Sequence, residues 1–132
     1  MYDDNWYKNL KKSPLNPPSW VFGVVWPILY FMILVSGIII IKNKNQYPGG
    51  LFRNGLFCFI TQILFNLVWM PIFFSSQEIR IALVDIYLTI IFTGLTIYFF
   101  YQMNKASALL LVPYFLWLCF ASYLNLYIVL NN

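Results

Sequence analysis

Four long apolar runs divide the chain. Trp20–Ile41 and Asn54–Phe74 carry no charge, Ile79–Tyr101 carries only Arg80 and Asp85, and Ala106–Leu130 is again uncharged. The hydrocarbon core of a bilayer takes about 20 helical residues, so each run is long enough to cross it. The links between them are polar and short. Lys42–Arg53 holds the turn Pro48-Gly49-Gly50, and Ser75–Glu78 and Gln102–Lys105 are tighter still. Short links make consecutive helices antiparallel neighbours. The pattern predicts an all-α integral membrane helical bundle with four transmembrane helices over 20–41, 54–74, 79–101 and 106–130. One domain covers residues 1–132, and both termini fall on the same side of the membrane, called side A below. The first run is too long and too aromatic for a cleavable leader, and no small-residue cleavage site follows it.

Composition agrees. Of 132 residues, 61% are apolar and 9% charged, too few charges to cover a soluble domain of this size. Aromatic residues make up 21%, which suits interfacial belts and an aromatic interior. The net charge is +4, and the basic residues sit at the ends of the apolar runs. They read as membrane anchors, not as a nucleic-acid footprint. Lys8, Lys11, Lys12 and Arg80 fall on side A, and Lys42, Lys44, Arg53 and Lys105 on side B, so positive charge does not choose the orientation. The chain has no histidine, which removes the commonest general base and metal ligand together. Cys58 and Cys119 stand alone in different runs and signal no metal site.

Depth along the helices groups the polar side chains. At 1.5 Å per residue, Trp26 lies roughly 9 Å from the side-A end of its run. Asp85 lies at roughly 9 Å, Asn66 at roughly 12 Å and Asn125 at roughly 8 Å. Gln62 and Trp117 lie deeper, at roughly 18–20 Å. Gln62 shares a helix face with Asn66, and Trp117 shares one with Ala121 and Tyr114. Tyr30 lies one turn beyond Trp26 on the same face. This layering predicts a pocket between the helices, open toward side A and floored near the midplane. The competing reading is that these polar groups only hydrogen-bond neighbouring helices. Pro27, Pro71 and Pro113 lie within the runs and can kink them, leaving room for a cavity.

The stretches "WYKNLKKSPLNPPSWVFGVVWPILY" (Trp6–Tyr30), "FNLVWMPIFF" (Phe65–Phe74), "ALVDI" (Ala82–Ile86) and "LLVPYFLWLCFASYLNLYI" (Leu110–Ile128) occur in that order. In order and spacing the chain resembles the TspO/MBR family: bacterial tryptophan-rich sensory proteins and the mitochondrial translocator protein, also called the peripheral benzodiazepine receptor. The resemblance implies a membrane receptor or carrier, commonly a homodimer, that binds porphyrins such as protoporphyrin IX in an intramembrane pocket. It also implies binding of isoquinoline-carboxamide and benzodiazepine-type ligands. No cofactor is required; porphyrin is the ligand or the substrate. Carried over by motif position, the implied ligand-binding residues are Tyr7 in a lid, then Trp26, Gln62, Asn66, Trp117 and Ala121, beside which Tyr30 and Tyr114 fall by spacing. Some bacterial members resemble slow, light- and oxygen-dependent porphyrin-degrading enzymes; on that alternative Trp26 and Trp117 are the catalytic residues. A small four-helix transporter centred on Asp85 is a further alternative.

The chain departs from the family pattern in four places. The family has five transmembrane helices, and this chain begins where the first should have ended. Either the start is internal to a longer chain, or this is a four-helix form whose pocket lacks a wall unless a dimer partner fills it. The lid reads Lys12-Ser13-Pro14-Leu15, without the family's tryptophan. Val24 replaces a proline, and Pro27 follows the tryptophan instead. The C-terminal "LNLYIVLNN" has no Arg or Lys after its tyrosine, so the family's cholesterol motif is incomplete.

Overall fold

The computed structural model describes residues 19–76 and 78–131. Tyr7 and the rest of the expected lid lie outside the described residues. Four helices, α1 Ser19–Lys42, α2 Gly49–Met70, α3 Ile79–Met103 and α4 Lys105–Asn131, account for nearly all of the described chain. All four are long and apolar enough to cross a membrane. A helix satisfies its own backbone hydrogen bonds, which is what a bilayer demands of a single span. The outer surface is correspondingly apolar. Leu34, Phe57, Leu64, Val84, Ile91, Leu109 and Leu116 all point away from the core. Such a surface would drive aggregation in water and is the ordinary exterior in lipid.

The second helix begins at Gly49, five residues before the expected Asn54. Pro48 sits at its N-cap in an extended conformation, and the amide of Phe52 donates to the Pro48 carbonyl at 3.0 Å. Tyr47 and Phe52 pack against the main core and hold this first turn, so the polar letters around them do not mark a loose link. The remaining link carries only a 3-10 turn, Lys44–Gln46. At the other end, α2 stops at Met70 and widens into a π turn, Pro71–Ser75. Pro71 brings no amide hydrogen, and its own carbonyl accepts from Ser76 at 3.0 Å, five residues on. The wide turn seats Phe73 against Ala82 and Ile128 in a small core of its own. Between α3 and α4 only Asn104 is left; its side-chain oxygen accepts from the Ser107 amide at 3.1 Å and caps α4.

Helix α3 buries Ala82, Asp85, Ile86, Thr89, Thr93, Thr96 and Phe100, a stripe at spacings of three and four. That stripe packs on α2 and α4, while α1 packs chiefly on α4. The order around the bundle is α1, α4, α3, α2; the backbones of α1 and α2 stay apart, and the Phe59 ring of α2 reaches across to Gly37 of α1. Two close approaches fix this arrangement. Ser36 of α1 and Ser107 of α4 are fully buried, with hydroxyl oxygens 2.8 Å apart, each 2.9 Å from the other residue's carbonyl. Small hydroxyl residues let two membrane helices come this close. Gly55 does the same for α2 and α3: a Cβ there would stand 2.9 Å from Met103 Cε and 3.2 Å from Phe99 Cβ.

Candidate functional site

A cavity of about 370 Å³ lies among all four helices. Helix α1 supplies Gly23, Trp26, Pro27 and Tyr30, and α2 supplies Asn66 and Trp69. Ile86 and Thr89 come from α3, Leu118 and Ala121 from α4. The volume is within the range of small-molecule sites, roughly 300–1,000 Å³. Its walls are chiefly aromatic and aliphatic. Trp26 and Tyr30, one turn apart, are stacked with ring centres at 5.6 Å and planes at 29°. Trp69 stacks on Phe73 at 4.9 Å, so the π turn after α2 braces one wall.

A chain of hydrogen bonds crosses the bundle beside the cavity. The Tyr30 hydroxyl donates to Asn66 Oδ1 at 2.6 Å. Asn66 Nδ2 donates to the Tyr114 hydroxyl at 2.9 Å. Tyr114 in turn donates to Gln62 Oε1 at 2.6 Å, and Thr93 donates to the same oxygen at 3.3 Å. All four helices are thus linked through neutral groups. A second set holds the side-A end: Trp69 Nε1 donates to Asn125 Oδ1 at 3.1 Å, and Asn125 Nδ2 to the Ile79 carbonyl at 3.1 Å. Two buried polar atoms, Gln62 Nε2 and Asp85 Oδ2, have no hydrogen-bond partner among the described residues.

The structure brings Trp26, Tyr30, Asn66 and Ala121 to one cavity. Tyr114 and Gln62 are fully buried and stand behind Asn66 as its support. Trp117 is not on the cavity wall. Its ring meets Trp26 edge-on, with centres at 6.3 Å and planes at 88°. Leu118 and Ala121 face the cavity from α4 in its place. Trp69, Thr89 and Ile86 line the cavity without having been singled out in the sequence. A signal was present for two of them: Trp69 lies three residues after Asn66, and Thr89 four after Asp85, each on the same helix face. No group of three or more metal-ligating side chains occurs among the described residues.

Comparison with known proteins agrees with this arrangement. The pattern of the TspO/MBR family matches residues 1–130. The chain is 39% identical over 130 residues to the tryptophan-rich protein TspO of Chlorobaculum tepidum, covering 96% of this chain and 79% of that protein. It is 33% identical over 122 residues to the tryptophan-rich sensory protein of Cereibacter sphaeroides, covering 92% and 73%. It is 34% identical over 126 residues to the translocator protein of Homo sapiens, covering 91% and 70%. A match over the whole chain, on four membrane-length helices, makes this an integral multi-pass membrane protein, and it belongs to the TspO/MBR family.

Proposed function

We propose that this chain is a membrane receptor or carrier that binds porphyrins, with protoporphyrin IX as the representative ligand, in the cavity beside Trp26 and Tyr30. Family membership, with relatives named sensory protein and translocator protein, supports a membrane sensory or translocator role. The observation that carries the ligand class is the stacked Trp26–Tyr30 pair next to the Asn66 amide. A flat conjugated ring gains about 0.5–1.5 kcal/mol from an aromatic face beyond its buried area. A single polar group at its edge then sets orientation. Binding of isoquinoline-carboxamide and benzodiazepine-type ligands, and assembly as a homodimer, belong to the same proposal.

The test is a titration of purified protein with protoporphyrin IX in detergent and darkness, followed by quenching of tryptophan fluorescence. Saturable quenching at micromolar concentration or below, weakened by Trp26→Ala, is the expected result. Linear, non-saturating quenching would refute the proposal. One observation favours a second reading, light-driven oxidation of bound porphyrin by oxygen. Trp26 and Trp117 pack at right angles, and such a pair can lend an electron to the photo-excited ring; the ring passes it to oxygen, the superoxide formed attacks the ring, and the indole radical takes its electron back from the ring, so that oxygen is the net oxidant.

A further inference from the structure

Four cations stand together at side B with no acid among them. Lys42 ends α1, Lys44 lies in the 3-10 turn, Arg53 lies near the start of α2 and Lys105 opens α4. All four are exposed. Two helix contacts gather them. Gly55, two residues from Arg53, lies against Met103, two residues from Lys105. Ser107, two residues to the other side of Lys105, is bonded to Ser36, six residues before Lys42. Packed helix axes run about 8–10 Å apart, close to the Debye length of about 8 Å at physiological salt, so the charges act as one field. The described acids, Glu78 and Asp85, lie toward side A, and residues 42–53 and 102–105 contain neither Asp nor Glu. Nor do the helices account for the charges. Arg53 and Lys105 sit near helix N-termini, where the backbone dipole disfavours a cation. On side A the one described cation, Arg80, has Glu78 two residues away.

We infer that the side-B rim is a docking surface for anionic phospholipid, whose phosphodiester headgroups it gathers from the surrounding leaflet. The inference does not depend on the porphyrin reading. Charge complementarity gives the sign of the partner: basic side chains at a membrane surface attract acidic lipids. Depth gives its kind. Lys105 Nζ lies 5.6 Å from the ring centre of Tyr101, and Tyr98, three residues deeper on α3, faces outward as well. Exposed tyrosines belong at the boundary between hydrocarbon and water, so this ammonium is held at headgroup level. Below two of the cations the same helix face turns apolar. Phe57 lies four residues from Arg53 and Leu109 four from Lys105, each one turn nearer the midplane and each exposed. A cation above an exposed apolar side chain matches both parts of a phospholipid, the phosphate and the first stretch of acyl chain. A dissolved phosphate ion would meet only the upper part.

The test is native mass spectrometry of the full chain in detergent, titrated with dioleoylphosphatidylglycerol or with dioleoylphosphatidylcholine, which carry the same acyl chains. The phosphatidylglycerol adducts should form at several-fold lower lipid concentration. Arg53→Gln and Lys105→Gln should each weaken them about fivefold, the effect of about one surface charge, and leave the phosphatidylcholine adducts as they were. Arg53→Lys and Lys105→Arg keep the charge and should keep the preference, which separates charge from any fault in folding. Arg80→Gln, on side A, should change nothing, and excess inorganic phosphate should leave the lipid bound. Equal affinity for the two lipids would overturn the inference. So would a preference that survives Arg53→Gln and Lys105→Gln combined, or one that Arg80→Gln lowers as much. Displacement by inorganic phosphate would overturn the assignment to lipid.

Discussion

Asn66→Ala separates a ligand-binding role from a helix-packing role. The substitution removes two interhelical hydrogen bonds, one from Tyr30 at 2.6 Å and one to Tyr114 at 2.9 Å. Tyr114 keeps its own donor satisfied on Gln62, and Tyr30 borders a cavity, so neither hydroxyl is stranded in a dry core. The loss therefore belongs with ordinary interhelical hydrogen bonds, about 0.6 kcal/mol each, and not with a buried orphan. Unfolding free energy should fall by about 1–2 kcal/mol in total. Binding should suffer at least as much, because the amide at the ligand's edge is gone and the Tyr30 ring has lost its tether. A tenfold rise in Kd corresponds to about 1.4 kcal/mol. The assay pairs detergent-denaturation curves without ligand with the quenching titration on the same preparation. A loss of more than about 3 kcal/mol of stability with an unchanged Kd would assign Asn66 to packing, because it exceeds what two neutral hydrogen bonds supply.

Three further perturbations address other parts of the molecule. Trp26→Phe should preserve porphyrin binding but abolish any light-driven formation of oxidised, ring-opened product, read by absorbance under illumination; unchanged turnover would remove Trp26 from that chemistry. Gly55→Leu should destabilise the bundle by about 1–3 kcal/mol through overpacking, since even the first added carbon would crowd Met103 and Phe99; denaturation midpoints equal to those of the unaltered chain would show that α2 and α3 can move apart freely. Ser107→Ala should weaken the α1–α4 contact by about 0.6–1.5 kcal/mol while leaving α2 and α3 packed, and the accessibility of single cysteines introduced along α1 would report it.

Residue spacing carried a definite part of this picture. Depth along an uninterrupted helix is simple arithmetic, and it placed Trp26 and Asn66 in one layer, where they line one cavity. Depth says nothing about rotation, however. Trp117 lies at a suitable level, yet α4 turns Leu118 and Ala121 to the cavity and leaves the indole at the edge of Trp26. Nor does it tell which helices adjoin. The Tyr30–Asn66–Tyr114–Gln62 chain depends on α1 and α4 both reaching α2, and consecutive numbering alone would make α1 and α2 the closest pair. Asn66, Gln62 and Asn125 do bond across helices, as polar residues in membranes commonly do, and Asn66 lines the cavity as well. The two readings of such residues are therefore not exclusive. The missed start at Gly49 has another cause: polar residues read as a link, whereas burial of Tyr47 and Phe52 decided the structure. Pro71 looked like any other proline in an apolar run, and its π turn follows from hydrogen bonds that composition does not reveal.

The paired serines make α1 a lever. Ser36 is pinned to α4, and Trp26 lies ten residues away on the same helix. At 1.5 Å per residue that arm is about 15 Å long, so a tilt of about 10° at the pin carries the indole by about 2.6 Å. Pro27 follows Trp26 directly, and its missing amide hydrogen leaves the helix one hydrogen bond short at that end of the arm. A displacement of that size would change the width of the aromatic cavity, and it would have to carry the buried Leu29 and Ile33 and the Tyr30–Asn66 hydrogen bond with it.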